Sequence, residues 1–301
     1  MKKIFFIVFG MLIFSGAWAG EGSPTQAKKL SLTTDFQWIS GANEVKGSLV
    51  DSSTQLGRLH LGAKYVFSDI SHFTANFPIA MSWTKNNYSI LSPVASQLTT
   101  TRVMSDRLKL GIEGKLFRET AFGEVSWNSA VYLPTILGKV DFQNRFYNHT
   151  ALTVGLSNIH YFANSPAFAL GSFSYITKFP TTYQKEERDY GDEFAMTVGA
   201  GYRIARSIHP MVKFQASYVK PFKTTLGEMF VLPNETTSAA VALHAMPGFS
   251  VSLNDNLALR GVSRILLYRS KIEGQDSGAQ WGNFEDESKI SVLLGVRLGL
   301  F

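Results

Sequence analysis

Six histidines are the residues of this sequence best suited to acid–base chemistry: His60, His72, His149, His160, His209 and His244. Nucleophilic catalysis would need one of them within hydrogen-bond reach of an activated serine. The run from Asn148 to Thr150, followed by Ser157 and Asn158, contains suitable residue types but not in the order of a histidine, any residue, serine and asparagine. The sequence therefore predicts no catalytic residues and no enzyme, and a hydrolase is the weakest alternative.

Carboxylates gather in two segments: Glu186, Glu187, Asp189 and Asp192 in one, and Glu273, Asp276, Glu285, Asp286 and Glu287 in the other. Oxygen ligands of this kind suit calcium, but the spacing is not that of an EF-hand. The chain has no cysteine, which excludes disulfides, thiolate nucleophiles, cysteine-bound zinc and iron–sulfur clusters. It also has no phosphate loop and no dinucleotide fingerprint. We expect neither a metal site nor a cofactor.

Basic residues recur at alternate positions in many separate segments, where they oppose apolar residues. They do not form one stripe with interleaved aromatics, so binding to nucleic acid is not expected. With two acidic residues on the same parity, they are the candidate functional residues: Arg58, Lys64, Arg107, Lys109, Lys115, Glu113, Glu124, Arg203, Lys213, Arg260, Arg264, Lys289 and Arg297.

The elements that carry these residues show a period of two. Between Leu30 and Trp38, for example, the apolar residues all hold even positions, while Asp35 and Gln37 hold odd ones. In a strand the two parities are opposite faces. We predict twelve strands, of which two (150–162 and 167–178) alternate poorly and rest on length and turn signals. The other ten are 30–38, 58–67, 73–83, 107–116, 124–133, 193–204, 212–218, 238–245, 257–260 and 289–300.

Short and long connections take turns between these strands. The predicted long loops are 40–55, 84–105, 134–149, 179–192, 221–236 and 270–287. This rhythm, with strands long enough to cross a bilayer, is typical of a closed antiparallel up-and-down transmembrane β-barrel. We predict an all-β barrel of about 12 strands, with short periplasmic turns and long extracellular loops. The alternative is 14 strands, because 84–105 has room for a further hairpin around Tyr88 to Leu91.

Aromatic residues near the strand ends predict two rings at the membrane interfaces. Trp38, Trp83, Tyr132, Tyr175, Tyr218 and Tyr268 are assigned to the loop side, and Tyr65, Phe67, Phe73, Phe117 and Phe122 to the turn side. Pro78 falls within a strand, where its missing donor predicts a bulge or a break in pairing.

The first residues have the layout of a secretory signal peptide: Lys2 and Lys3, an apolar stretch, and a triplet of small, any and small residue that ends at Ala19. We predict that 1–19 is cleaved and that 20–301 is one transmembrane barrel domain. Of the 301 residues, 45% are hydrophobic and 17% charged, which excludes a disordered chain and a polytopic helical membrane protein.

The export signal, the strand and loop rhythm and the terminal Phe301 together resemble Gram-negative outer-membrane β-barrel proteins of the porin-like class. The resemblance implies a location in the cell outer membrane, contact with lipid and lipopolysaccharide, and recognition of Phe301 by the barrel assembly machinery.

The parity that carries the charged residues would face the lumen and give it a surplus of positive charge. Such a lining concentrates anions. The sequence predicts a passive channel for small polar or anionic solutes. Two alternatives remain open: a non-conducting structural or adhesive barrel in which these side chains pair and fill the lumen, and an outer-membrane hydrolase. Six glycines on the same parity, Gly62, Gly111, Gly199, Gly201, Gly295 and Gly299, favour open space over filling.

Overall fold

The computed structural model describes residues 30–46, 50–88, 97–105, 107–120, 123–134, 149–183, 186–189, 191–205, 207–221, 223–225, 235–236, 239–270 and 289–300. At several strand ends it describes the backbone alone. The predicted signal peptide, Phe301 and the acidic segment 273–287 lie outside the described residues.

The described chain is all-β. Thirteen strands belong to the main sheet: β1 (Leu30–Lys46), β2 (Val50–Ser68), β3 (Ser71–Tyr88), β4 (Gln97–Ser105), β5 (Leu108–Thr120), β6 (Gly123–Leu133), β7 (Ala151–Tyr161), β8 (Ala167–Lys178), β11 (Glu193–Tyr202), β12 (Ile208–Val219), β15 (Ala240–Ser252), β16 (Leu257–Arg269) and β17 (Ile290–Gly299). A smaller sheet contains β9 (Thr181–Tyr183), β10 (Glu186–Asp189), β13 (Lys223–Thr225) and β14 (Glu235–Thr236). No helix among the described residues is long and apolar enough to cross a membrane.

The main sheet closes into a barrel because β17 pairs with β1, from Ser31 opposite Gly299 to Ser40 opposite Ile290. Every other wall strand pairs antiparallel with its neighbour along the wall. Strands β4 and β5 both pair with β3, at different heights, and so form one wall strand. The wall therefore has twelve strands, which confirms the predicted barrel, and the poorly alternating segments are its strands β7 and β8.

The break between β4 and β5 lies opposite Pro78. Pairing with β3 runs from Asn87 to Ile79 on β4 and resumes at Asn76 on β5. Between these two paired stretches, Pro78 of β3 is paired with neither β4 nor β5, so the ladder on this side of β3 is interrupted there. Proline has no N–H to give to the ladder, so the predicted break at this position is confirmed.

The loop side, meaning the barrel end that carries the long connections, contains more strand than the sequence predicts. Segment 40–55 is mostly the paired ends of β1 and β2, and 84–105 is mostly those of β3 and β4. Segments 179–192 and 221–236 include the strands of the smaller sheet. These boundaries are wrong because alternation stops where a strand leaves the bilayer, whereas backbone pairing does not require it. The hairpin of β3 and β4 lengthens two wall strands and adds no thirteenth or fourteenth.

The two faces of the wall differ as the parity predicts. The outer face exposes large apolar side chains, among them Leu32, Phe36, Leu59, Leu61, Met196, Val198, Val212, Phe214 and Val296. The inner face buries polar ones, among them Asp35, Gln37, Arg58, Ser157, Glu193, His209, Ser217, His244 and Arg264. Outer apolar side chains are exposed because their solvent is the bilayer.

Exposed aromatics mark both ends of the outer face. Tyr65, Phe67, Phe73 and Phe117 lie toward the turn side, the end with the short connections. Toward the loop side, the Phe194 ring lies 4.8 Å from the Tyr175 ring and 6.3 Å from the Tyr218 ring. Apart from Tyr132, the described members of both predicted rings therefore occupy the outer face; the side chains of Trp83 and Phe122 lie outside the described residues.

Candidate functional site: the lumen wall

The structure places the sequence-predicted residues around the lumen. Lys289 immediately precedes β17 and is exposed at the loop-side rim. The other twelve share the inner face with the buried residues Asp35 and Ser291: Arg58, Lys64, Arg107, Lys109, Glu113, Lys115, Glu124, Arg203, Lys213, Arg260, Arg264 and Arg297. They spread around the wall and do not converge on one point.

Four carboxylates lie on the described part of the inner face, and each has a basic partner or a histidine. The side chain of Arg260 donates from Nε and Nη2 to Asp35. His72 Nε2 lies 2.5 Å from Glu113 Oε2, and Lys115 Nζ donates to Glu124 Oε2 at 2.8 Å. Lys178 Nζ lies 3.2 Å from Glu193 Oε2. Because basic residues outnumber carboxylates on this face, positive charge remains after each acid is matched.

These contacts run along the wall. The partners lie on adjacent strands, as in His60 Nε2 with Gln37 Oε1 at 3.2 Å, or on strands that flank a third. Arg264 on β16 donates to Gln215 Oε1 on β12 at 3.1 Å, past β15 between them. Asp35 and Arg260 meet in the same way across Gly295 of β17. The pairs thus hold side chains against the wall.

Toward the loop side, two basic residues share one tyrosine. Both lie over the Tyr132 ring: Arg107 Cζ is 4.9 Å and Lys109 Nζ is 5.7 Å from the ring centre. Arg107 Nη1 is 2.9 Å from Nε2 of the fully buried His149. Since a guanidinium can only donate, Nε2 of His149 is the acceptor. Tyr132 lies on the inner face, so its assignment to the outer aromatic ring is wrong.

Toward the turn side, a second arginine lies over a tyrosine. The Arg203 guanidinium is 4.1 Å from the centre of the Tyr161 ring. Beside it, Ile159, Phe168 and Met211 form a buried apolar cluster on the inner face. This part of the lumen is apolar where the sequence predicts a polar lining, because β7 and β8 turn isoleucine, phenylalanine and leucine inward.

Lumen-side glycines make room for neighbouring side chains. A Cβ on Gly201 would overlap the Phe168 ring, and a Cβ on Gly295 would overlap Asp35 Oδ1. At Gly62 the same position is taken by Thr33 Oγ1. The expectation that these glycines leave open space is wrong at these three positions, since side chains from adjacent strands fill it.

Sequence reasoning also missed three basic side chains of the inner face: Lys178, His149 and His209. Each is buried. Lys178 belongs to a segment without clear alternation, and His149 precedes its strand, so neither parity was visible. His209 could have been found, because it shares the odd parity of Lys213 on β12.

Outside the lumen, an ion pair links the loop-side ends of β11 and β12: Lys220 Nζ lies 2.6 Å from Asp192 Oδ2. Burial pushes the pKa of Asp192 up, but hydrogen bonds from Lys220, Tyr175 and Thr177 outweigh burial and hold that pKa below its ordinary value. Among the described residues, no group of three or more histidines and carboxylates is placed to hold a metal ion.

Comparison with known proteins gives the fold. No family model matches the chain, and no curated protein matches it. The COG4313 outer membrane channel from Pseudomonas putida F1 has a TM-score of 0.59 at 10% identity, over 94% of this chain and 99% of that one. The transport unit of the autotransporter AIDA-I from Escherichia coli has a TM-score of 0.46 at 10% sequence identity, and the match covers 94% of both chains. The NanC porin has a TM-score of 0.41 at 10% sequence identity, and the match covers 90% of this chain and 100% of that one. The chain therefore has the fold of an outer-membrane β-barrel.

Proposed function

We propose that this protein is a passive channel of the outer membrane that favours small anionic or polar solutes. The observation that carries the proposal is the charge of the inner face. Each described carboxylate there has a basic or histidine partner, and further arginines and lysines share the wall. A low-dielectric tube with surplus positive charge raises the local concentration of anions and repels cations.

The arrangement of the contacts supports passage. A twelve-stranded barrel lies between the filled eight-stranded barrels and the aqueous porins of about sixteen strands, so its side chains decide whether the lumen is open. Pairing along the wall, as between Asp35 and Arg260, keeps long side chains close to the strands. The outer face supplies the contact with lipid, and recognition of Phe301 by the assembly machinery stays a prediction.

One observation favours a second candidate, a structural or adhesive barrel that does not conduct. Ile39 and Leu56 face each other on adjacent strands, on the inner parity, and are fully buried. With the apolar cluster around Phe168, they fill part of the lumen with side chains that hydrate poorly.

Single-channel recording in a planar bilayer under a potassium chloride gradient separates the two candidates. The proposal predicts discrete conductance steps and a reversal potential on the chloride side of zero. A folded protein that inserts without conductance would favour the structural barrel, and a cation preference would contradict the role given to the basic wall.

A further inference from the structure

We propose that Arg203 and His209 form an oxyanion-binding site at the turn-side mouth of the lumen. The site would take small carboxylates or phosphate. The proposal rests on the proposed channel function and names a solute class for it.

The two residues flank one hairpin turn. Arg203 directly follows β11, and His209 is the second residue of β12. Both lie on the inner face, and the two side chains interact electrostatically. Tyr161 of β7 completes the group through its ring, against which the Arg203 guanidinium lies.

Three nitrogen atoms of these two side chains are buried without a hydrogen-bond partner among the described residues. His209 is only 4% exposed, yet neither Nδ1 nor Nε2 has a hydrogen-bond partner there. Arg203 Nε is likewise buried without a partner among the described residues. Buried donors are costly to leave unpaired, so a group that brings oxygen acceptors would be stabilised here.

The chemistry of the donors selects the ligand. A guanidinium stacked on a ring keeps its N–H groups directed outward in its own plane. That planar fork matches two oxygens of a carboxylate or phosphate and cannot be matched by a halide. The described lumen carboxylates have other partners: Arg260, His72, Lys115 and Lys178. An incoming oxyanion would therefore not have to displace one of them.

Block of chloride current in planar bilayers tests the site. Acetate and inorganic phosphate are added separately to each side of the wild-type channel, which distinguishes carboxylate from phosphate as the ligand. At least one of them should reduce the chloride current at saturating concentration. Arg203→Lys keeps the charge but loses the planar fork, and His209→Gln removes the imidazole. We expect each variant to raise the half-blocking concentration about tenfold.

Lys64→Gln is the comparison for a loss of positive charge elsewhere in the lumen, because Lys64 lies on the inner face of β2, away from this hairpin. It should shift the reversal potential while leaving the half-blocking concentration within a factor of about two. The site would be overturned if wild type and Arg203→Lys were blocked equally, or if Lys64→Gln weakened the block as much as the site variants do. Any block would then come from the general positive charge of the lumen, and bound water would satisfy the buried nitrogens.

Calorimetric titration of the purified, folded barrel in detergent separates the failure of this site from the failure of the channel. Saturable heat with acetate or phosphate that disappears in both site variants would support the site even if the barrel does not conduct. A chloride-selective channel with neither block nor saturable heat would keep the channel and overturn the site.

Discussion

At the scale of single residues, one glycine permits an ion pair between strands that are not neighbours. Asp35 of β1 and Arg260 of β16 meet over Gly295 of β17. A side chain at Gly295 would occupy the space of Asp35 Oδ1 and approach Arg260 Nε at 3.1 Å. The pair therefore depends on a residue that carries no charge.

We expect Gly295→Ala to destabilise the barrel by about 1–3 kcal/mol, because the added methyl group overpacks the wall and separates the pair. Denaturant unfolding from lipid vesicles measures the change. Gly171→Ala is the control, because a Cβ there meets no atom closer than Thr197 O at 3.9 Å. Equal stability of both variants would contradict the account of Gly295.

The sequence predicts the lumen residues where alternation is strong and misses them where it is not. Arg58 and Lys213 follow from parity because apolar residues hold the opposite parity beside them, as Leu59 and Leu61 do after Arg58 and Val212 and Phe214 do around Lys213. Lys178 does not, because its strand turns Phe168 and Leu170 inward and Gly171 outward. Partners such as Glu193 for Lys178 depend on register between strands, which no single segment contains.

At the scale of elements, the strand positions follow from the sequence but their ends do not. Each of the twelve predicted strands has its counterpart in the wall. The ends on the loop side extend further, since water imposes no alternation beyond the bilayer. The depth of a residue in the membrane therefore has to be taken from the structure. Val241, for example, is central in its predicted strand (238–245) but is the second residue of β15.

Charge placed on the outer face should cost most at mid-strand. Val198 lies in the middle of β11 and is exposed on that face. We expect Val198→Arg to destabilise the barrel by about 2–4 kcal/mol, and Val241→Arg, at a strand end, by about 0–1 kcal/mol. Refolding titrations into lipid vesicles measure both.

Thr197→Arg is the matched control for Val198→Arg, because Thr197 is the adjacent residue and belongs to the inner face. Arginine at this position would point into the lumen, so we expect a smaller loss of stability than at Val198. If arginine is tolerated equally at both positions, the faces are assigned wrongly.

At the scale of the whole molecule, the wall separates two environments. Apolar side chains such as Phe214 meet lipid, and the charged side chains collect inside a closed ring of twelve strands. On the loop side, β1 to β4 and the smaller sheet continue the strand structure above the barrel. The protein thus combines an interior in which basic side chains outnumber carboxylates with paired strands at one end.

Charge reversal inside the lumen should change ion preference more than the same change outside it. Lys213 lies on the inner face near the middle of β12, whereas Lys220 lies beyond its loop-side end, beside Asp192. We expect Lys213→Glu to move the reversal potential toward the cation side. Lys220→Glu, at the same change in net charge, should move it less, because exposed charges are screened by salt.

The reversal potential of wild type and of Lys213→Glu, recorded under the same potassium chloride gradient, is the most direct test of an anion-favouring lumen. The account predicts a chloride-side potential for the wild type and a clear displacement toward the potassium side for the variant. Identical potentials for the two proteins, or a potassium-side potential for the wild type, would contradict it.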